Sequence, residues 1–210
     1  MDGVAENMPI IPIKQYHFEW IERAKQFYAV NDYSVKTTKC PGILSILNKG
    51  WIQRSYQDIL IETKGDNRDF NWKTPIDQAT TKNGCAIGDY IHWHYQEQFD
   101  AFHPVRPGTL QTILKINSPW FVEVPKGYSL LMMPVPYNDD NRFTAATGLL
   151  RGNNFLNVQL FWHCTNSVER IPAGTPLNHM ILIKDDTVDY HIETIDNAMK
   201  YLKENCDQYK

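Results

Sequence analysis

No two of the four cysteines are close enough to form a CxxC pair; Cys40, Cys85, Cys164 and Cys206 are spread along 210 residues. Zinc-finger and thioredoxin-like motifs depend on that pairing, so the sequence points away from both. Free thiols in a reducing compartment are expected. An N-x-S/T glycosylation acceptor is also missing. The N-terminus, MDGVAENMPIIPIKQ, lacks the basic start and apolar core of a signal peptide. No apolar run approaches the ~18–20 residues of a membrane span, so no membrane partner is expected. Positive charge is thin: 21 Lys and Arg stand against 24 Asp and Glu, a net charge of −3. No Lys/Arg run interleaved with aromatics occurs, and nucleic-acid binding is not expected without that electrostatic footprint. The nucleophile elbow G-x-S-x-G, the P-loop, GxGxxG and HExxH are all absent, so no standard catalytic set can be assigned.

What the chain does have is apolar and aromatic mass. Hydrophobic residues make up 42%, with six Trp and eleven Tyr, enough to build a packed body without a metal or disulfide staple. Residues 1–15, with Pro9 and Pro12, read as an extended arm whose apolar residues need a surface, either the body or a second copy. Residues 16–210 read as a single β-rich domain. Apolar residues recur at helical spacing over 17–29, and Pro41 to Gly50 can frame a short helical turn. Strands are expected at 57–63, 69–73, 109–116, 120–124, 128–133, 155–164 and 178–184, separated by turn chemistry such as Lys64-Gly65-Asp66-Asn67 and Pro125-Lys126-Gly127. A C-terminal helix with Ile195, Met199, Leu202 and Cys206 on one stripe closes the chain, capped at Thr194. The fold class is therefore mainly β, a sandwich, barrel or β-clip-like body, with a short N-terminal helix and a C-terminal helix. Leu130, Met132, Val158, Leu160, Ile181 and Ile183 are the expected core, because each strand alternates.

Two segments could carry chemistry. In Gly88-Asp89-Tyr90-Ile91-His92-Trp93-His94-Tyr95-Gln96-Glu97, a strand would put His92, His94 and Gln96 on one face. Two imidazoles at i and i+2 can chelate a divalent ion, with Glu97 adding an oxygen. The competing reading is a pair of polar residues on a half-exposed strand. The second segment is Gly148-Leu149-Leu150-Arg151-Gly152-Asn153-Asn154-Phe155, in which Arg151 and Asn153 are candidate binding residues.

Three resemblances attach to these segments. Gly88 with the H-x-H of His92 and His94, followed by Glu97, looks like a truncated first cupin motif. The likeness implies iron, manganese or zinc on His92, His94 and Glu97; the glycine and glutamate stand closer than that motif places them. Residues 124–183, with Pro125-Lys126-Gly127, Gly148, Asn166 and Gly174 in order, resemble the β-clip core of the dUTPase and dCTP deaminase family. Arg151 stands where that family carries an acidic residue, so the resemblance implies the fold rather than nucleotide hydrolysis. Finally, Asn117 to Tyr128 (NSPWFVEVPKGY), the GLLRG segment and IPAGTPLNHMI resemble an uncharacterised family of tailed phages. That likeness implies a viral structural or accessory protein in the virion or the cytoplasm of an infected cell, with protein partners or self-association. A non-enzymatic binding protein is the first expectation, and a small metal-dependent enzyme using His92 and His94 the second.

Overall fold

The structure, a computed structural model, describes residues 10–31, 36–80, 86–95, 98, 108–185 and 204. Residues 1–9 of the arm, Cys85, Gln96, Glu97 and the expected C-terminal helix lie outside them. The fold is mainly β, with four antiparallel sheets and two α-helices among the described residues.

Two long strands organise it. β8 (Ile113–Glu123) pairs antiparallel with β12 (Asn153–Trp162). The sequence predicts a break at Ser118-Pro119, yet β8 runs through it. The partner strand explains why: the register shifts between Phe155 and Asn157. That irregularity accommodates Pro119, which has no N–H to give the ladder. β7 (Ile91–His94) and β10 (Phe143–Ala145) complete this sheet in the order β10-β12-β8-β7.

A second sheet, β13-β3-β4, is built from β3 (Ile59–Thr63), β4 (Phe70–Lys73) and β13 (Val168–Ile171). Its inner face carries Ile59, Ile61 and Ile171, which meet Ile91, Leu114, Ile116, Val158, Leu160 and Trp162 of the first sheet in one core cluster. Alternation is the cause: β3 buries Ile59, Ile61 and Thr63 and half-exposes the residues between them. Tyr90 sits inside this core, with its hydroxyl 3.1 Å from Ser55 Oγ. Burial pushes its phenol well above the ordinary tyrosine range.

The third sheet has the order β1-β2-β14-β9-β11. It contains β1 (Ile10–Pro12), β2 (Trp51–Arg54), β9 (Tyr128–Met133), β11 (Gly148–Leu150) and β14 (Pro176–Lys184). Its Leu130 and Met180 pack against Leu156 of β12 and Val124, the residue that follows β8. Its opposite face, through Ile11 and Ile52, receives Phe18, α1 (Glu19–Val30) and α2 (Pro41–Leu47). Ile10, Ile11 and Pro12 pair with Gln53, Ile52 and Trp51, so this part of the arm lies on the body as a strand. A fourth, two-stranded sheet joins β5 (Gln78–Thr80) to β6 (Ala86–Asp89).

The expected core holds for Leu130, Val158 and Leu160, whereas Met132, Ile181 and Ile183 are only half-buried. On β14 the deeply buried residues run continuously from Pro176 to Met180, because this half of the strand is covered on both faces. Gly50 shows how tightly the chain approaches it. Its φ is +87°, and a Cβ there would stand 2.0 Å from the Met180 carbonyl oxygen.

Candidate functional site

The turn between β3 and β4 is set by Asp66. Its Oδ1 accepts the backbone N–H groups of Arg68 and Asp69 at 2.9 and 3.0 Å, and these bonds hold the carboxyl below its ordinary range. Gly65 (φ +81°) and Asn67 (φ +59°) supply the left-handed backbone the turn needs. The turn is also tied to the segment leading into β8. Gln111 N–H donates to the Asn67 carbonyl at 2.8 Å, and Thr112 Oγ1 donates to the Arg68 carbonyl at 2.6 Å. Arg68 Nε donates to Gln111 Oε1 at 3.2 Å, fixing one edge of the guanidinium.

Downstream, β4 places Phe70 and Trp72 two residues apart and therefore on one face, both half-buried. Trp93 reaches them from β7. The Phe70–Trp72, Trp72–Trp93 and Phe70–Trp93 ring centroids are 5.5, 5.6 and 6.5 Å apart, within the range of aromatic pairs. Tyr95 stands at the lip, 61% exposed. Together with Lys64, Arg68, Asp69, Asn71 and Thr112 these rings line an open cleft of about 290 Å³. Among the described residues neither Lys64 nor Arg68 is in an ion pair, although the Lys64 charge acts on the Asp66 carboxyl. The arrangement offers stacking surfaces, two cations and one carboxylate, the features of a ligand site.

His92 and His94 share the outer face of β7, with ring centroids 6.2 Å apart. His92 is exposed and His94 half-buried. Directly across the ladder from His92 lies Lys115. Burial, then Lys115, hold the His94 imidazole below its ordinary pKa, and a hydrogen bond with Gln98 acts in the opposite sense. The fixed cation beside the pair works against the approach of another. Gln96 and Glu97 lie outside the described residues; among those described, no three His, Cys, Asp or Glu side chains are grouped to hold a metal ion.

Arg151 and Asn153 are elsewhere. Asn153 pairs with Glu123 at the far end of β8, while His92 pairs with Lys115. At about 3.3 Å per residue the two places are roughly 25 Å apart along the strand, so the two sets of candidates form no common site. Arg151 Nε donates to Ser129 Oγ at 3.1 Å and lies 3.7 Å from Asp185 Oδ2. Ser129 Oγ in turn donates to Asp185 Oδ1 at 2.5 Å. That small network ties β9 to the ends of β11 and β14. Cys40 and Cys164 are free thiols, and His163, the neighbour of Cys164, turns to Thr109 Oγ1 and Thr144 Oγ1 at 3.2 and 2.8 Å.

The cleft was signalled in the sequence by Arg68 ahead of two aromatics at period two, Phe70 and Trp72. What that pattern lacks is the partner: Trp93 is twenty-one positions further on and joins only when the two sheets pack. No family model matches the chain, and neither does any curated protein or solved structure.

Proposed function

We propose that this protein is a non-enzymatic binding protein that holds its ligand in the cleft between β4 and β7. The observation carrying this reading is the convergence of Phe70, Trp72, Trp93 and Tyr95 with the cations Lys64 and Arg68 around one open cavity. Aromatic faces bind flat or ring-shaped ligand surfaces at little conformational cost, and fixed charges orient them. The resemblance of NSPWFVEVPKGY and IPAGTPLNHMI to the tailed-phage family supports a viral origin and a structural or accessory role, in the virion or in the infected cell.

The test is intrinsic tryptophan fluorescence. Trp72 and Trp93 report directly on the cleft, so a panel of saccharides, nucleotides and short peptides is titrated against the native chain and Trp72→Ala. At least one class should change the emission saturably, and the change should be lost in the variant. A panel that leaves the emission unaltered, or binding that Trp72→Ala retains at full strength, overturns the reading.

A further inference from the structure

Resting on that cleft as the binding site, we propose that its ligand is an acidic saccharide, a sugar unit bearing a carboxylate. A pyranose ring has an apolar C–H face and a rim of hydroxyls. The half-buried rings of Phe70 and Trp72 and the exposed Tyr95 provide surfaces for the first. Asp69 and the Thr112 hydroxyl, whose proton goes to the Arg68 carbonyl, line the same cleft and provide acceptors for the second. The cavity, about 290 Å³, falls at the small end of ligand sites, a size that suits one or two sugar units rather than an extended polymer laid along a groove.

The charge pattern selects among sugars. Arg68 is anchored through Nε to Gln111, so its two terminal nitrogens remain to meet a planar anion, the geometry in which guanidinium binds carboxylate. Lys64 adds a second cation to the cleft lining. The turn that presents Arg68 also carries Asp66 and Asp69, and Asp69 itself lines the cleft. A polyanion with a charge on every unit, such as a phosphodiester chain, would meet that carboxylate. Its affinity would also depend on several more cations than this chain, at net charge −3, gathers here. A single carboxylate on a hydroxylated ring uses both cations and leaves Asp69 free to accept hydroxyls.

The probes are sialyllactose, an aldobiouronic acid and a hyaluronan disaccharide, oligomers with a single carboxylate, each beside its methyl ester, which keeps the skeleton and removes the charge; oligothymidylate is the polyanion control. The proteins are the native chain, Trp72→Ala and Arg68→Met, with circular dichroism and thermal melting confirming that each variant is folded. At least one acidic oligomer should bind, tenfold or more tightly than its ester. Arg68→Met should weaken that acid tenfold or more and its ester by a much smaller factor, and Trp72→Ala should weaken both. Equal affinity for acid and ester overturns the inference while leaving the cleft as the binding site, since Trp72→Ala would still weaken both. Binding of oligothymidylate in preference to every saccharide, or no saccharide bound, overturns the ligand class. Saccharide binding indifferent to Trp72→Ala overturns the cleft itself.

Discussion

Trp72 and Trp93 belong to different sheets, yet their rings stand 5.6 Å apart at an interplanar angle of 52°. The pair closes one margin of the core shared by β13-β3-β4 and β10-β12-β8-β7. It is both a packing contact and a wall of the cleft.

A double role has a measurable signature. Trp93→Ala should cost about 1–3 kcal/mol, less than the ~3–5 kcal/mol of a fully buried Trp because the side chain is only half-buried. Tyr95→Ala, at the exposed lip, should change stability by no more than about 0.5 kcal/mol while weakening ligand binding. Urea denaturation beside fluorescence titration separates the two; equal loss of stability at both positions would contradict the geometry.

Leu160 is completely buried and its neighbour Gln159 half-buried on the opposite face of β12. Leu160→Ala should cost roughly 2–5 kcal/mol, a large share of the ~5–15 kcal/mol stability of a domain. Gln159→Ala, which loses a 3.2 Å bond to Asn157 Oδ1, should cost about 1 kcal/mol or less. Chemical denaturation of the two variants checks the ratio.

At Gly50 any side chain must enter the space of the Met180 carbonyl at a φ that disfavours L-residues. Gly50→Ala should destabilise by more than about 2 kcal/mol. Gly127, also at positive φ (+80°) but with nothing near its Cβ position, should tolerate Ala at about 1 kcal/mol. Thermal melts of the pair distinguish crowding from backbone strain alone.

His179 is fully buried, and its Nε2 donates to the Lys49 carbonyl at 2.6 Å. Among the described residues its Nδ1 has no hydrogen-bond partner, so a second proton would be buried without an acceptor there. Burial accordingly lowers its pKa, with the Lys49 bond opposing. The folded state thus binds fewer protons than the unfolded one. The stability this residue contributes is fully present above the ordinary histidine value of about 6.5 and is lost as pH falls below it. Half-buried His94 is shifted in the same direction. A His179→Gln variant should show a flatter stability profile between about pH 6.5 and pH 5, measured by denaturant midpoint at each pH.

The metal-dependent alternative meets its own measurement. With Lys115 across from His92, elemental analysis of purified protein should find iron, manganese and zinc each well below one equivalent. Stoichiometric metal that disappears in the His92→Ala, His94→Ala double variant would restore that alternative.

Local chemistry made much of the body legible. Tyr128–Met133 and the Phe70–Lys73 return strand follow from alternation between strong turn signals, and α1 follows from helical spacing with Glu19 and Glu22 in its first turn. The sequence pattern predicts no strand at β2, β5, β6, β10, β11 or β13. Each is three or four residues long, too short for a period to register, and each owes its conformation to a partner strand. The cleft was hidden for the same reason. The histidine pair drew notice because its spacing carries meaning within a single strand, whereas Trp72 and Trp93 acquire theirs only from contact between sheets.

The long β8/β12 ribbon serves two cores at once, and this constrains the chain as it is being made. β2 meets β1 and β3 meets β4 early, but β2 waits for β14 and β3 waits for β13, so the second neighbour of each arrives only after residue 168. During synthesis the nascent chain must carry Ile52, Ile59 and Ile61 without their final cover while more than a hundred further residues are added. At ~5–20 residues per second that interval is on the order of ten seconds. Non-local pairing of this kind also folds slowly once complete. Both cores therefore close late, and a truncation before Val168 removes Ile171, Leu177 and Met180, on which they depend.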